Sequence, residues 1–441
     1  MKTNVKALSD LDLAIMLEDQ FGTENLIKAP SGIWHFTGLI WRLLSDDELK
    51  AAATILLAER VDSVMRSRLS GMLEVFKTYN WISNAEFELG DPSIVVMEDG
   101  YRAYSAGAWN KIDADRELRR RICLPASYTE ARPEQFDKFL RDILCDADGR
   151  PLTDREALTE LIWEMLGYCL ATHARYERCF ILCGPGANGK SVLGAIAKAM
   201  VGRANTASVQ PSQMNSVFQR SNLEGKLLNL VTELNQKEEL QDGLLKAIVS
   251  GEMMSVERKY HDVREIEPFA KHIILTNHLP RISDYSDGLF RRVSIIPLKR
   301  QFLGNAADPL LITKLTGELD AITSRALDAL GRLIDRHGNF TEPPICAAAK
   351  DTWRSDNNHI MQYLAERVYK APSASVSVQV MYDDYQNWFA STGLRGQLGR
   401  KQFANRVEAA DTAKSSRRSK GYFFMNVNLR RARRMYKVYF V

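Results

Sequence analysis

The chain has 441 residues, of which 45% are hydrophobic and 26% are charged, and its formal net charge is +4. These values are those of an ordinary soluble protein that is long enough for two or three domains, and they do not select a fold. Its six cysteines show no Cys-x-x-Cys or Cys/His ligand spacing, which argues against a structural zinc site or a disulfide framework and predicts a reducing, cytoplasmic environment. No stretch reaches the roughly 18 apolar residues of a membrane span, and charges interrupt residues 1–16, where a signal peptide needs an apolar core.

Residues 1–150 are predicted to form an N-terminal, mainly helical domain. Helical patterns cover residues 8–20 and 45–79, and the segment between them suggests a short strand and a turn. Residues 90–111 alternate in the manner of a small β-meander, and a further helix is expected near residues 133–145.

Residues 151–340 are predicted to form a central domain. The loop DADGRPL leads to an amphipathic helix at residues 154–172. From Arg178 to Pro297 apolar strands alternate with helices, which is typical of an α/β domain with a largely parallel sheet.

The strongest chemical pattern is the segment CFILCGPGANGKSVLGAIAKAM, in which an apolar strand runs into a glycine-rich loop and then into a helix. Glycines allow successive backbone N–H groups and the helix N-terminus to face phosphate groups. Lys190 would supply a positive charge to the β and γ phosphates, and the Ser191 hydroxyl would bind Mg²⁺. A chance glycine-rich turn is the alternative, but it does not account for strand, spacing and helix together. The sequence therefore predicts a site for a nucleoside triphosphate, ATP with Mg²⁺, formed by Gly184, Pro185, Gly186, Ala187, Asn188, Gly189, Lys190 and Ser191.

Two later strands end on polar side chains that are candidates to complete this site. The apolar run in KLLNLVTELN closes on Glu233, a candidate carboxylate for the metal ion. The run KHIILTN ends on Asn277, a candidate for orienting the attacking water or contacting the γ-phosphate. Each residue also has a plainer interpretation, because Glu233 fits a solvated strand end and Asn277 fits a turn former before HLP.

Two basic segments lie near the second of these strands. The sequence SVERKYHDVREIEP predicts two strands, but it lacks the Asn-Gly or Asp-Gly pair that a tight hairpin prefers. Lys259, Tyr260 and His261 stand at its middle, and on their own they fit a polar hairpin tip that faces water. Arg291 and Arg292 precede the apolar strand VSIIP and on their own fit an ordinary charge pair beside a strand.

Residues 341–441 are predicted to form a C-terminal basic domain. The segment FTEPPI marks the boundary, and helices are expected at residues 346–369, 377–391 and 399–410. A strand pair is expected in SKGYFFMNVNL, and this order of helices followed by a hairpin suits a winged helix.

Basic charge is concentrated in this last domain. From Arg395 to Val441 there are 13 Lys and Arg residues and two acidic residues, so the chain before Arg395 is net acidic. Such an excess favours a nucleic-acid partner over a merely solvated surface, although a winged helix also serves as a protein-docking or ring-packing module. Lys401, on the expected recognition helix, would enter a groove while arginines hold phosphates. The expected wing carries Arg417, Arg418 and Lys420, and the terminal cluster consists of Arg430, Arg431, Arg433 and Arg434.

The order of these motifs resembles that of superfamily 3 helicases, as in the helicase half of phage and plasmid primases and in the poxvirus nucleoside triphosphatase family. The resemblance covers roughly residues 90–441 and includes the segments FDKFLRDIL, LIWEMLGYCL and YDDYQNWFASTG. It implies an AAA+-like P-loop motor domain between the mainly helical N-terminal domain and the C-terminal winged helix. In this motor Gly184, Gly189, Lys190 and Ser191 would form the Walker A loop, Glu233 would be the Walker B acid, and Asn277 would be the sensor.

One departure from the family pattern concerns the metal ligands. Many relatives end the Walker B strand with two adjacent acids, whereas Thr232 precedes Glu233 here. Metal ligation and water activation would then fall on one carboxylate, Ser191 and water. Gly251 and Lys259 match the motif that lies between the two strands.

The resemblance also implies how the basic segments act. A β-hairpin before the sensor strand would project into the channel of a ring, where Lys259, Tyr260 and His261 contact single-stranded DNA by phosphate charge and base stacking. Arg291 or Arg292, with Arg291 favoured, would reach the γ-phosphate bound to the next subunit. This arrangement requires a homo-oligomer, and the resemblance implies a ring of six.

These features lead to the hypothesis of an ATP-dependent, ring-forming DNA helicase/ATPase that translocates on single-stranded DNA in the replication of a phage, plasmid or other mobile element. The resemblance alone implies 3′-to-5′ polarity. We expect single-stranded and forked DNA as partners, and no membrane, since no apolar stretch is long enough to span one. Residues 1–150 lack the clustered acids of a priming polymerase, so we expect a helical collar and a primase or polymerase as a separate partner. The alternative is a nucleotide-switched, DNA-binding initiator or loader without processive unwinding. A small-molecule P-loop kinase is disfavoured, because a hairpin and an arginine pair follow the loop in place of an acceptor-binding lid.

Overall fold

The N-terminal part of the chain combines helices with a small antiparallel sheet. The structure is a computed structural model that describes residues 8–59, 65–83, 85–234, 242–258, 263–282, 287–392, 397–410, 415–418 and 421–430. In chain order the first elements are α1 (Asp10–Phe21), β1 (Leu26–Ala29), β2 (Gly32–Phe36), β3 (Trp41–Leu43), α2 (Asp46–Ala58) and α3 (Arg66–Thr78). The sheet β1-β2-β3 replaces the expected short strand and turn, and the helix expected over residues 45–79 is divided into α2 and α3.

Local capping explains where these helices begin. Ser9 and Asp12 form a reciprocal capping box at α1, and Ser45 and Glu48 form another at α2. Apolar side chains at helical spacing then close a shared core, which includes Leu13, Leu17, Leu56, Met72 and Phe76.

A second antiparallel sheet lies where the β-meander was predicted. It consists of β4 (Ile94–Met97), β5 (Gly100–Ser105) and β6 (Ala108–Ile112), and helices α4 (Glu134–Ile143) and α5 (Arg155–Tyr168) follow it. The Trp109 indole N–H donates a hydrogen bond to the Leu327 carbonyl at 2.8 Å. The Tyr104 hydroxyl donates to Asp335 Oδ2 at 2.5 Å. These bonds fix the sheet to a long helix from the central part of the chain.

The central part alternates strands and helices around a parallel sheet, as the sequence predicted. Its elements are β7 (Cys179–Cys183), α6 (Lys190–Val201), β8 (Thr206–Ala207), α7 (Val217–Arg220), β9 (Leu228–Val231), α8 (Asp242–Val249), β10 (Met254–Val256), β11 (Arg264–Ile266), β12 (Lys271–Thr276), α9 (Asp287–Phe290) and β13 (Val293–Pro297). Strands β13, β7, β12, β9 and β8 lie side by side in that order, and each pair is parallel. Strands β10 and β11 form a separate antiparallel hairpin.

Helices cover both faces of the parallel sheet. Side chains alternate along each strand, so Phe180 and Leu182 enter one core with α5 and α6, while Ile181 enters the other. The next helices are α10 (Leu311–Thr316), α11 (Leu319–Asp335) and α12 (Pro344–Asn357). Trp353 of α12 joins the second core, and its indole N–H donates to the Pro280 carbonyl at 2.8 Å. Because both faces of the sheet are buried, the sequences of its strands are continuous apolar runs.

The C-terminal part contains a three-stranded antiparallel sheet that the sequence predicted incompletely. Its elements are α13 (His359–Arg367), β14 (Val368–Ser377), α14 (Val378–Thr392), α15 (Arg400–Ala409), β15 (Ser415–Arg418) and β16 (Gly421–Leu429), with strand order β14-β16-β15. The helix expected over residues 346–369 is divided into α12 and α13, and it ends at Arg367 because β14 begins at Val368. Val368 pairs with Leu429 and enters the local core, so pairing with a distant strand outweighs the local helical pattern. Among the described residues, no helix is long and apolar enough to cross a membrane.

Gly167 allows α5 to lie close against α11, and this contact can be tested. A Cβ atom at position 167 would stand 2.4 Å from the Ala326 carbonyl oxygen and 2.8 Å from the Leu330 amide nitrogen. Gly167→Ala should therefore lower the free energy of unfolding by roughly 1–3 kcal/mol, the usual cost of overpacking, in urea or thermal unfolding. The control is Gly243→Ala in α8, where a Cβ atom would meet open space. Equal stability of the two variants would contradict the close helix contact.

Candidate functional site

The carboxyl edge of the parallel sheet borders a cleft that collects most of the residues predicted to bind the nucleotide and its metal ion. Strands β7, β12 and β9 are neighbours and run in the same direction, so their carboxyl ends meet at one edge. The cleft has a volume of about 360 Å³, which lies within the roughly 300–1,000 Å³ of small-molecule sites. It is lined by Gly186, Ala187, Asn188, Gly189, Lys190, Ser191, Val192, Thr232, Glu233, Leu275, Thr276 and Asn277.

The loop of residues 184–189, called the glycine loop below, leaves no room for a side chain at its first and last residues, Gly184 and Gly189. Gly189 has φ +89°, in the left-handed region, and a Cβ atom there would stand 2.7 Å from Ile143 Cγ2. A Cβ atom at Gly184 would stand 2.0 Å from the Leu298 carbonyl oxygen. The loop then passes directly into α6, whose first residue is Lys190. The backbone therefore forms a cradle at a helix N-terminus, which fits the phosphate groups that the sequence predicted.

The Lys190 amine is the positive charge at the centre of the cleft. It donates hydrogen bonds to the carbonyl oxygens of Gly184 at 2.7 Å and Pro185 at 3.0 Å. It also donates to Asn188 Oδ1 at 2.9 Å and to Asn277 Oδ1 at 3.2 Å. Burial lowers the pKa of Lys190. The structure thus joins the ends of β7 and β12 and surrounds the ammonium with neutral oxygen atoms that an anion can replace.

Glu233 and Ser191 are the candidate metal ligands in the cleft. Glu233 lies just beyond β9 and is exposed, and Ser191 is exposed at the start of α6. Within the described ranges, no group of three or more His, Cys, Asp and Glu side chains is placed to hold a metal ion. One carboxylate and one hydroxyl nevertheless fit Mg²⁺, which usually takes one or two protein ligands and completes its shell with water and phosphate oxygens.

A segment after β13 holds the glycine loop from outside, and sequence reasoning did not identify it. The Asn188 side-chain amide donates to the Leu298 carbonyl at 2.9 Å, and the Phe302 N–H donates to the Ala187 carbonyl at 2.7 Å. The Gln301 side-chain amide donates to the Gly186 carbonyl at 2.9 Å. More than 100 residues separate the two segments, as between Gly186 and Gln301, and no local pattern in the sequence marks these bonds.

A second cavity of about 400 Å³ adjoins the cleft at the glycine loop. Ala187, Gly189 and Val192 line both spaces. The other walls are largely apolar and come from α4 and from residues 302–311, with Phe139, Ile143, Phe302 and Leu311 as the larger side chains. Gln135, Lys138, Asp142, Asp308 and Lys314 contribute its polar groups. Sequence reasoning missed this cavity, because its walls come from elements far apart in the chain.

Arg291 and Arg292 lie at the opposite edge of the sheet from the cleft. They precede β13, and Val293 pairs with Cys179 at the amino end of β7. The glycine loop begins at the carboxyl end of β7, about 13 Å further along the strand. The structure therefore does not bring either arginine to the cleft of its own chain.

The two arginines have different surroundings. Arg292 is 12% exposed, pairs with Glu177 at 2.8 Å, and donates to Ser250 Oγ at 3.0 Å and to the Gly288 carbonyl at 2.9 Å. Arg291 is 67% exposed and lies 3.7 Å from Glu177. Arg292 is held in place by its own chain, whereas Arg291 is available to another molecule.

The predicted nucleic-acid contacts are only partly described. The strands of the expected hairpin are present as β10 and β11, but Lys259, Tyr260 and His261 lie outside the described residues. Lys401 is exposed on α15. The backbone of Arg417 and Arg418 is in β15, but their side chains lie outside the described set, as do Lys420, Arg431, Arg433 and Arg434.

Sequence comparisons relate the chain to one family model and to viral proteins. Residues 182–292 match the model of a family of unknown function (DUF5906). The chain is 25% identical over 196 residues, 41% of its length, to "Putative helicase L207/L206" of Acanthamoeba polyphaga mimivirus. It is 21% identical over 240 residues, 49% of its length, to "Putative helicase 022R" of Frog virus 3 (isolate Goorha). These matches cover 20% and 25% of the viral proteins, so the chain spans a quarter or less of the curated relatives that it matches.

Similar folds occur among solved structures. "The A form apo structure of NrS-1 C terminal region-CTR" matches with a TM-score of 0.50 at 11% identity, over 92% of this chain and 97% of that one. "The apo structure of NrS-1 C terminal region (305-718)" matches with a TM-score of 0.50 at 12% identity, over 94% and 99% of the two chains. The likeness concerns the fold, and it extends over most of both chains.

The different surroundings of the two arginines lead to a stability prediction. Arg292→Gln should lower the free energy of unfolding by about 1–3 kcal/mol, because it removes the 2.8 Å ion pair with Glu177 and leaves the Gly288 carbonyl without its charged donor. Arg291→Gln should change it by less than about 0.5 kcal/mol, as is usual for an exposed position. Urea unfolding of both variants measures the difference. If Arg291→Gln were the more destabilised variant, the structural assignment of Arg292 would be wrong.

Proposed function

We propose that the chain is an ATP-driven, ring-forming DNA helicase of superfamily 3 that translocates on single-stranded DNA with 3′-to-5′ polarity, in the replication of a phage, plasmid or other mobile element. One observation carries the proposal: Lys190, Ser191, Glu233 and Asn277 line a single cleft at the carboxyl edge of a parallel sheet. The distant matches to viral proteins named as helicases support the same class.

In this proposal the glycine loop is a P-loop that binds the triphosphate of ATP. Its N–H groups and the N-terminus of α6 face the phosphates, and the Lys190 amine exchanges its carbonyl and amide acceptors for phosphate oxygens. Ser191 and Glu233 would hold Mg²⁺, which would supply positive charge to the β and γ phosphates. Asn277, 3.2 Å from the Lys190 amine, orients the attacking water or contacts the γ-phosphate.

The adjoining apolar cavity suits the base of the nucleotide. It opens from the same loop residues that line the phosphate cleft, and Phe139, Phe302 and Leu311 offer apolar surfaces to a planar ring. Polar groups at Gln135 and Asp308 are available to its edge. The charged cleft would take the phosphates of ATP, and the apolar cavity would take its base.

The catalytic arginine comes from the neighbouring subunit in this proposal. Arg291 is exposed and stands at the edge of the sheet opposite its own cleft, so it can serve only a cleft in another chain. An arginine that reaches the transferring phosphate is worth roughly 10³–10⁵ in rate. The requirement for a second chain supports a ring, for which the resemblance to superfamily 3 suggests six subunits.

DNA contacts are proposed for two regions. The hairpin β10–β11 carries the tip residues Lys259, Tyr260 and His261 to the single strand. The order helix, strand, helix, helix, strand, strand from α13 to β16 supports a winged helix, in which the exposed Lys401 approaches a groove and Arg417, Arg418 and Lys420 form the wing. Residues 1–150, 151–340 and 341–441 are then a collar, a motor and a DNA-binding domain.

Strand displacement on forked DNA is the experiment that tests this function. The wild-type chain should hydrolyse ATP with Mg²⁺ and displace the strand. Lys190→Ala should abolish both activities, because no side chain of the glycine loop offers another positive charge to the phosphates. Circular dichroism should show that the fold of Lys190→Ala is intact. Lys198→Ala, an exposed position on the same helix, is the control that should keep both activities. Hydrolysis without displacement would favour an initiator or loader, and phosphate transfer to a small acceptor would favour a kinase.

Mixing two inactive variants tests the shared site. Lys190→Ala removes the positive charge that faces the phosphates. Arg291→Ala should slow hydrolysis roughly 10³- to 10⁵-fold. In a mixed ring, some interfaces combine an intact Lys190 with an intact Arg291, so the mixture should recover part of the hydrolysis measured as phosphate release. Arg291→Ala mixed with Glu233→Gln should recover activity for the same reason. A mixture no more active than its components would contradict an arginine that acts between chains.

A further inference from the structure

One carboxylate ties both strands of the β10–β11 hairpin to the chain segment that precedes β9. Glu224 Oε2 accepts a hydrogen bond from Arg258 Nη2 at 3.2 Å, and it also accepts one from Arg264 Nη2. Arg258 follows β10 and Arg264 begins β11, so Glu224 joins the two sides of the hairpin. Glu224 is 20% exposed and Arg264 33% exposed, which reduces the screening of this ion pair by solvent.

Further bonds hold the hairpin against the same segment. The Arg220 guanidinium donates to the Ser255 carbonyl at 3.0 Å, and the Glu257 N–H donates to the Val217 carbonyl at 3.2 Å. Arg220 and Val217 belong to the short helix α7. The hairpin is thus attached to residues 217–224 from the middle of β10 to the end of the strands that leads into the turn.

The attached segment leads directly into the cleft. Glu224 lies shortly before β9 in the chain, and Glu233 follows the carboxyl end of β9. All four residues of β9 are buried, and the strand is paired with β12 over its whole length. A displacement at Glu233 can therefore reach Glu224 through a single buried strand.

We infer that Glu224 is a positioning residue that couples the hairpin to the candidate catalytic edge of β9. The inference rests on the proposed function, in which the hairpin grips DNA. Without the Glu224 carboxylate, the positive charges of Arg258 and Arg264, which flank the turn of the hairpin, lose the acceptor that they share. The hairpin then loses its fixed orientation relative to β9, while the cleft keeps all of its own residues.

Hydrogen exchange by mass spectrometry on the full chain tests the attachment without any assay of activity. Glu224→Gln keeps the shape of the side chain and removes its charge, and it should speed amide exchange in residues 254–256 and 264–266 roughly 5- to 30-fold. Glu265→Gln, an exposed acid on β11, is the matched control and should leave the exchange unchanged. Arg264→Gln should act like Glu224→Gln, and the double variant should add little, because both remove the same pair. Unchanged exchange in Glu224→Gln would overturn the inference.

The ratio of displaced strand to hydrolysed ATP tests the coupling. This ratio should fall roughly 5- to 30-fold in Glu224→Gln and stay at the wild-type value in Glu265→Gln. A loss of folded protein lowers both quantities together and does not change the ratio. Faster exchange with an unchanged ratio would overturn the coupling role. If the wild-type chain hydrolyses ATP and displaces no strand, the helicase proposal fails, and the exchange experiment still decides whether Glu224 holds the hairpin.

Discussion

The parallel pairing of β7 with β12 and of β12 with β9 is the constraint on which the candidate site depends. The register places Thr276 beside Cys183, so the chain leaves both strands at the same level, into the glycine loop on one side and Asn277 on the other. Ile274 pairs with Val231, which brings the residues after β9, including Glu233, to the same edge. The bond between Lys190 and Asn277 follows from this register and from no local feature of either segment.

The same parallel direction separates the arginine pair from the cleft. Strand β13 lies beside β7 and runs with it, so residues before β13 stand at the amino edge of the sheet and residues after it stand at the carboxyl edge. Under the proposed function each chain offers a cleft on one edge and an arginine on the other. Because the cleft edge and the arginine edge are different surfaces, chains that join through them associate head to tail. Such an assembly closes into a ring when the rotation between neighbouring subunits allows it.

The sequence predicted what depends on short segments and missed what depends on long-range packing. The glycine loop, the apolar strands and their polar ends are local patterns, and the parallel α/β fold followed from them. The cavity lined by Phe139 and Phe302 joins residues far apart in the chain, and neither segment carries a motif. Strand β14 was missed between two predicted helices because its pairing with β16 is a tertiary contact. Sequence reasoning favoured Arg291 over its neighbour Arg292 without a structural reason, and burial and hydrogen bonds distinguish the two.

Strand β13 connects the two edges of the sheet within a single chain. At its amino end Arg292 is fixed by Glu177, Ser250 and Gly288, and Arg291 is its exposed neighbour. Beyond its carboxyl end, Leu298, Gln301 and Phe302 hold the glycine loop. The interior of the strand is buried and close-packed, and such interiors transmit displacement because they have low compressibility. Under the proposed function, a phosphate that moved the glycine loop would therefore move the segment after β13, and the same strand would carry that movement to Arg291, the arginine proposed to serve the next subunit.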